Sequence, residues 1–316
     1  MASLQLCVLG EALMDCMALP DGNLRPLMGG SPFNLAIAAA RQGIRVGYLN
    51  PFATDPFGIA LREHLEGEGV RVLGEPSSCP TSLAIVQVND GVPVYAFYRD
   101  GVADLDFDAP SVIQMLSAHA PGVLHTGSLM LLPQVVTAVR AICEAAKSHG
   151  WRISLDLNLR PKVAQDVQAY VDAVWSVVPL ADWLKASDED LQTLGWQDAA
   201  PATASEQARR LHQQGCERVV LTYGAEGAFM SIEGAQVFLP APSVPVVDTV
   251  GAGDTLWGNC LAQWIRAPLA PVAPDEASLR RTLMRAVQAA AMNCEKMGCQ
   301  PPTFEALNLA LEQNGT

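Results

Sequence analysis

At 316 residues and 50% hydrophobic content, the chain can bury one large α/β core or two smaller ones, which excludes large-scale disorder. Lys and Arg number 20 against 33 Asp and Glu, and the formal charge of −13 disfavours nucleic acid or an anionic membrane as a main partner. Eight cysteines without a CxxC pair read as reduced thiols of a cytoplasmic protein, and the scattered histidines have no metal-ligand spacing. The N-terminus lacks the basic region of a secretory signal, and no apolar run reaches the ~18 residues of a membrane span.

Residues 4–9 read as a buried strand whose carboxyl end delivers Glu11 and Asp15, the end at which open α/β sheets bind ligands. Asp21 and Gly22 mark a turn. In GGSPFNLAIAAARQG, Gly29 and Gly30 permit close backbone approach, Ser31 suits a cap, Pro32 the first turn and Gly43 the stop. Asn34 falls in that first turn, where its amide needs a partner, either a sugar hydroxyl or a loop carbonyl. A strand is expected over 46–49, then an amphipathic helix over 57–68 with Phe57, Leu61 and Leu65 inward. The runs LAIVQV and VPVYAFY flank Asn89-Asp90-Gly91, a hairpin signal inside an otherwise alternating βα chain. Arg99, Asp100, Asp104 and Asp106 follow, as a solvated edge or as ligand contacts.

The βα rhythm returns with a strand over 123–126, a helix over 134–148 and a strand over 151–157. The last ends in DLNLRP, which places Asp156, Asn158 and Arg160 at a sheet end; Arg160 suits a phosphate or carboxylate. After a helix over 166–177, a strand over 182–185 leads into KASDEDLQTLG, where Ser187 reads as a helix cap, while Asp188, Glu189 and Asp190 have the chemistry to orient hydrated Mg²⁺. A helix over 204–214 and a buried strand over 218–223 precede Gly224 and Gly227, which bracket either a nucleotide-facing turn or a plain hairpin. A proline-rich loop over 268–274, a long helix over 275–296 and a terminal helix from 303 complete the chain.

The chemistry concentrates in DTVGAGD, residues 248–254. Amides of Gly251, Ala252 and Gly253 at a helix start can converge on an anion, because the first turn leaves donors unpaired and carries partial positive charge. Asp254 then stands where a hydroxyl can be deprotonated. Leu256, Trp257, Cys260, Leu261, Trp264 and Ile265 recur at helical spacing and would bury one face, holding that start rigidly. A tight turn followed by a capping acid is the plainer alternative. The third glycine of a dinucleotide fingerprint is absent, Leu256 standing in its place, and there is no Walker A run.

GGSPFNLAIAAARQG and DTVGAGDTLWGNCL together resemble the two signatures of the ribokinase-like sugar kinases, the phosphofructokinase B family. The Tyr98, Arg99, Gly101, Ala103, Asp104 pattern, DLNLRP and NCEKMGCQPPT are most similar to its fructokinase branch. The resemblance implies an α/β three-layer sandwich, a mostly parallel central sheet flanked by helices. It also implies a small β lid from about 12–30 and 81–104, shared in a homodimer. It implies transfer of the ATP γ-phosphate to a primary hydroxyl of a sugar, with Asp254 as base and Gly251, Ala252 and Gly253 as the anion hole. Asp15, Gly29, Gly30, Asn34, Arg99 and Arg160 would meet the sugar; Thr222, Gly224, Gly227, Asn293 and Gly298 would line the ATP site. Mg²⁺ would lie near Asp190, and a monovalent cation such as K⁺ near Asp248 and Thr249. Three departures stand out: Ser187 to Asp190 replaces the family's Asn-x-x-Glu, NPFATDPFG replaces a glycine-rich stretch, and Cys299 stands where Ala is usual. Fructose is the expected acceptor; 2-keto-3-deoxygluconate, ribose or a nucleoside, or sugar sensing without turnover, are the alternatives.

Overall fold

A computed structural model describes residues 3–19, 21–89, 92–232, 234–267 and 275–313. Seven parallel strands form most of a nine-stranded sheet: β1 (Leu6–Val8), β4 (Val46–Tyr48), β5 (Arg71–Val72), β8 (Val123–Gly127), β9 (Arg152–Asp156), β10 (Trp183–Ser187) and β11 (Arg218–Thr222). Two antiparallel strands, β12 (Ala228–Ile232) and β13 (Ala235–Leu239), finish one edge. The order is β13-β12-β11-β10-β9-β8-β1-β4-β5, so chain progression reverses between β8 and β1 and opens a crevice at the carboxyl ends.

Alternate residues along the strands feed two cores. Cys7, Val219 and Leu221 pack on one face with α4 (Val136–Ser148), α5 (Val167–Val177) and α7 (Ala204–His212); α3 (Ala109–Ser117) joins this layer through Val112 and Leu116. Leu6, Val8 and Val220 pack on the other with α1 (Ser31–Arg41), α2 (Pro56–Gly67), α8 (Ala252–Arg266) and α9 (Glu276–Cys294). The expected three-layer α/β sandwich is therefore what forms. The short α6 (Asp188–Thr193) and the terminal α10 (Phe304–Gln313) complete the helices, and among the described residues no helix is long and apolar enough to cross a membrane.

Trp257 anchors the α8 layer, with Trp264 edge-on at 5.5 Å and Trp183 edge-on to Trp264 at 5.3 Å. Small residues set the spacing between α1 and α8: a Cβ at Gly258 would stand 2.8 Å from that of Ala38 and 3.3 Å from the Ala39 amide nitrogen. This close packing brings the two helix N-termini together at the crevice.

A second, four-stranded sheet has the order β3 (Leu24–Gly29), β2 (Leu13–Ala18), β6 (Ser82–Asn89), β7 (Val92–Tyr98). Its two hairpins join through a parallel β2–β6 pairing, a connection that hairpin spacing alone does not reveal. Asp90 and Gly91 of the hairpin signal, and residues 268–274, lie outside the described residues.

Two expectations are corrected. Ser31 is not a cap: Gly30, at φ 108° and with no side chain, holds that position, and Ser31 is the first residue of the helix. Phe57 is exposed while Leu61 and Leu65 are buried, because in the first turn of α2 it is Gly58 that packs inward, against the backbone of Ala53.

Asp55 caps α2 through the Gly58 amide at 2.8 Å and also accepts from the amide and hydroxyl of Thr81, at 2.8 and 2.6 Å, tying that helix to the start of β6. Asp55→Ala should cost about 2 kcal/mol in denaturant unfolding, a lost cap plus unpaired donors; a change within error would show that the tie is energetically idle.

Candidate active site

Asp254 sits in the first turn of α8 with its carboxylate turned away from solvent, 7% exposed. Both oxygens are held by α1: Ser31 Oγ donates to Oδ1 at 2.7 Å and Asn34 Nδ2 to Oδ2 at 2.9 Å. These contacts answer the question raised by an asparagine in a first helical turn. Burial raises the Asp254 pKa, while the two hydrogen bonds and the charges of Lys185 and Arg160 pull it back toward the ionised form.

The turn before α8 depends on Gly251, at φ 73° in the left-handed region. The Ala252 amide donates to Thr249 O at 3.2 Å and so closes the turn rather than facing outward. Gly251, Gly253 and Asp254 amides find no acceptor among the described residues, which leaves these three donors open at the helix start, whereas that of Ala252 is engaged.

Asp15, on β2, lies against Gly29, where any Cβ would collide with its carboxylate. Its pKa is pushed up to about 6, chiefly by burial; Arg160 lowers it and Asp254 raises it, which puts the three side chains within electrostatic reach. A Cβ at Gly30 would stand 2.5 Å from Glu11 O, which is why that position carries no side chain. Asp15, Gly29, Gly30, Asn34, Arg160 and Asp254 thus share one crevice.

Arg99 has turned inward. Its Nη1 lies 2.8 Å from Asp104 Oδ2 and donates to Ser82 Oγ at 2.8 Å, with only 8% of the side chain exposed. Beside it is buried Glu11, whose Oε1 accepts from the Ser31 amide at 3.3 Å and whose pKa rises to about 7 through burial, against the lowering effect of Arg99. Glu11 Oε2 and Arg99 Nη2 are both buried without a hydrogen-bond partner, so this polar cluster underlies the start of α1 instead of projecting from it.

The residues expected around ATP divide into two groups. Thr222 ends β11, Gly224 and Gly227 follow it at the same sheet end, and Gly227, at φ 125°, packs against the backbone of Leu239 and Pro240 as a hairpin glycine. Asn293, Gly298 and Asp248 form a knot behind the turn that opens α8. Asn293 Nδ2 donates to Val250 O at 2.8 Å and its Oδ1 accepts from the Gln300 amide at 2.7 Å. Asp248 accepts from the amides of Val250 and Gly298, at 3.1 and 2.8 Å, so each oxygen offered to a monovalent cation already has a donor.

Asp190 is likewise occupied. It completes a capping box with Ser187 and accepts from the amides of Asn158, Leu159 and Ser187 at 3.2, 2.6 and 2.7 Å. Among the described residues no group of three or more His, Cys, Asp or Glu side chains is arranged to hold a metal.

One buried side chain beside the site escapes a reading of the sequence. Lys185, on β10, has its ammonium 2.9 and 3.0 Å from the two oxygens of Asp156, and a Cβ at Gly253 would lie 3.2 Å from it. The available signal is a lysine within the apolar strand Trp183–Ser187 beside a neighbouring strand that ends in an acid.

The pfkB family carbohydrate kinase model matches residues 3–306. A fructokinase of Rhizobium leguminosarum bv. trifolii is 33% identical over 265 residues, 80% of this chain and 77% of that one. A 2-dehydro-3-deoxygluconokinase of Thermoproteus tenax is 31% identical over 277 residues, 84% and 83% of the two chains. The crystal structure of a fructokinase with bound ATP from Xylella fastidiosa superposes with a TM-score of 0.86 at 27% identity, covering 99% of both chains. Because the family match spans both helix starts that meet at Asp254, along with both sheets, this chain belongs to the pfkB family of carbohydrate kinases.

Proposed function

We propose that the protein is an ATP-dependent sugar kinase, transferring the γ-phosphate to a primary hydroxyl, with fructose as the acceptor. The observation that carries this reading is the double grip of Ser31 and Asn34 on Asp254 beside three unpaired amides. A sugar hydroxyl entering between Asp15 and Asp254 gives its proton to Asp254 as its oxygen attacks the γ-phosphorus, while the bond from that phosphorus to the β–γ bridging oxygen breaks and ADP leaves with its electron pair. The amides of Gly251, Gly253 and Asp254 then face the negative charge on the transferring oxygens, with Arg160 on the open side. Phosphoryl transfer asks a protein mainly for positioning and charge stabilisation, and these groups meet both needs. Mg²⁺ carried on the phosphates would offset further charge, and K⁺ near Asp248 and Thr249 belongs to the same proposal. The four-stranded sheet carries Asp15 on β2 and is proposed as the lid and as the dimer contact.

Fructose is favoured because fructokinases recur among the relatives, although the gluconokinase at nearly equal identity keeps the same reaction with another acceptor. ADP release measured with fructose, 2-keto-3-deoxygluconate, ribose and nucleosides decides between them. The highest kcat/KM is expected on fructose. Silence there with turnover elsewhere reassigns the acceptor, and silence on all removes the kinase reading in favour of sugar sensing.

A further inference from the structure

Beneath the anion-binding turn lies a buried charge that the family signatures do not include. Lys185 and Asp156 face each other in register on neighbouring parallel strands, with side chains 5% and 1% exposed. We propose that Lys185 is a positioning residue for phosphoryl transfer: seated on Asp156, its ammonium forms the floor under Gly253 and balances the negative charge of Asp254 and of the phosphoryl group above it. This rests on the kinase reading.

Three observations support the assignment. First, the place is specific. The ammonium abuts Gly253, one of the three residues with an unpaired amide, and the missing Cβ is what lets backbone and cation come this close. Second, stability alone is a poor reason for the pair. Desolvating two charges largely cancels their attraction, and well-packed apolar residues often serve a core as well or better. Third, among the described residues the charges that lower the Asp254 pKa are Lys185 and Arg160, and Arg160 is exposed. His125 lies one step further down the sheet, its Nδ1 2.9 Å from Ser154 Oγ, and Trp257 Nε1 donates to the same hydroxyl at 3.0 Å. Burial and the charge of Lys185 push the His125 pKa down to about 3, so it stays neutral.

Asp254 meets charged or titratable neighbours from every side: Lys185 on β10, Arg160 beyond β9, Asp15 on β2, Asp156 on β9 and Cys299 near the chain end, with Ser31 and Asn34 on α1 as neutral donors. Asp15 and Asp156 are acids that disfavour a charged Asp254. Lys185 and Arg160 oppose them, and only Lys185 is buried with it. Removing that charge should leave a base harder to ionise and a weaker anion hole.

Lys185→Met alone strands Asp156 without a partner, so the decisive variant is Lys185→Met with Asp156→Asn, a neutral pair of similar shape. Its thermal melt is expected to stay near wild type, its kcat to fall about 10- to 100-fold, and KM for ATP and sugar to change less than about threefold. The acid limb of its kcat–pH profile should move to higher pH. A folded double variant with wild-type kcat and an unmoved acid limb overturns the proposal. Calorimetric titration with ADP, alone and with orthovanadate as phosphoryl mimic, gives a readout independent of any sugar. Wild type should gain affinity from vanadate and the double variant should lose about tenfold of that gain, with ADP alone unchanged. Equal gains would also overturn it, whereas wild-type silence on every acceptor bears only on the kinase reading.

Discussion

Asp254→Asn is expected to lower kcat by about 10²-fold or more with little change in KM for either substrate. The substituted amide has nearly the same shape and retains contacts: its oxygen can accept from Asn34 while its nitrogen faces the Ser31 hydroxyl, which turns to accept. Stability should not fall, since burial already raises the carboxyl's pKa and a neutral group relieves that cost. A melting temperature at or above wild type with a collapsed kcat therefore separates loss of the base from loss of the fold. The pH dependence follows with a definite sign. Catalysis needs the ionised carboxylate, so kcat drops as pH falls through the Asp254 pKa, and that limb lies above the ordinary aspartate value of about 3.9. A variant that turns over normally, or a wild-type enzyme whose kcat is flat down to the ordinary carboxylate range, removes Asp254 from the role of base.

Gly251→Ala should be nearly as damaging, for a mechanical reason. At φ 73° an alanine costs about 1–2 kcal/mol, and its Cβ would overlap Cys299 Sγ and stand 2.6 Å from Cys299 Cβ. Cys299 has little room to retreat. Arg41 donates to Pro301 O at 2.6 Å and Gln42 to Pro302 O at 2.9 Å, which pin the following segment to the end of α1. The turn must move instead, carrying the amides of Gly251 and Gly253 with it. A displacement of about 1 Å suffices for a 10²-fold loss in kcat. Adding Cys299→Gly removes the overlap, with the backbone Cα of residue 299 then 3.3 Å away, and should recover part of both kcat and melting temperature. Wild-type kinetics in the single variant would show that the turn does not position the reacting groups.

The two signature stretches were legible because their chemistry is local. A glycine at positive φ, a helix start with unpaired donors and an acid in the first turn all fall within seven residues. What sequence could not give was the partner of each group. Ser31 beside a helix start looks like a cap, and only the close α1–α8 contact shows that its hydroxyl belongs to Asp254. The resemblance assigns Asn293 and Gly298 to an ATP site, and only the structure adds that both also brace the turn before α8. Lys185 hides inside an apolar strand, since strand registry alone puts it opposite Asp156. Phe57 shares helical spacing with Leu61 and Leu65, but periodicity does not say that Gly58 takes the inward place in the first turn.

The grip on Asp254 also bears on how the enzyme is assembled. Its two hydrogen bonds span separations of 223 and 220 residues, so neither the first nor the last third of the chain contains a working base by itself. During refolding, closing so long a loop is slow compared with forming local helices and hairpins. Secondary structure should therefore return well before turnover does, and recovered activity marks the late docking of the first helix against the eighth.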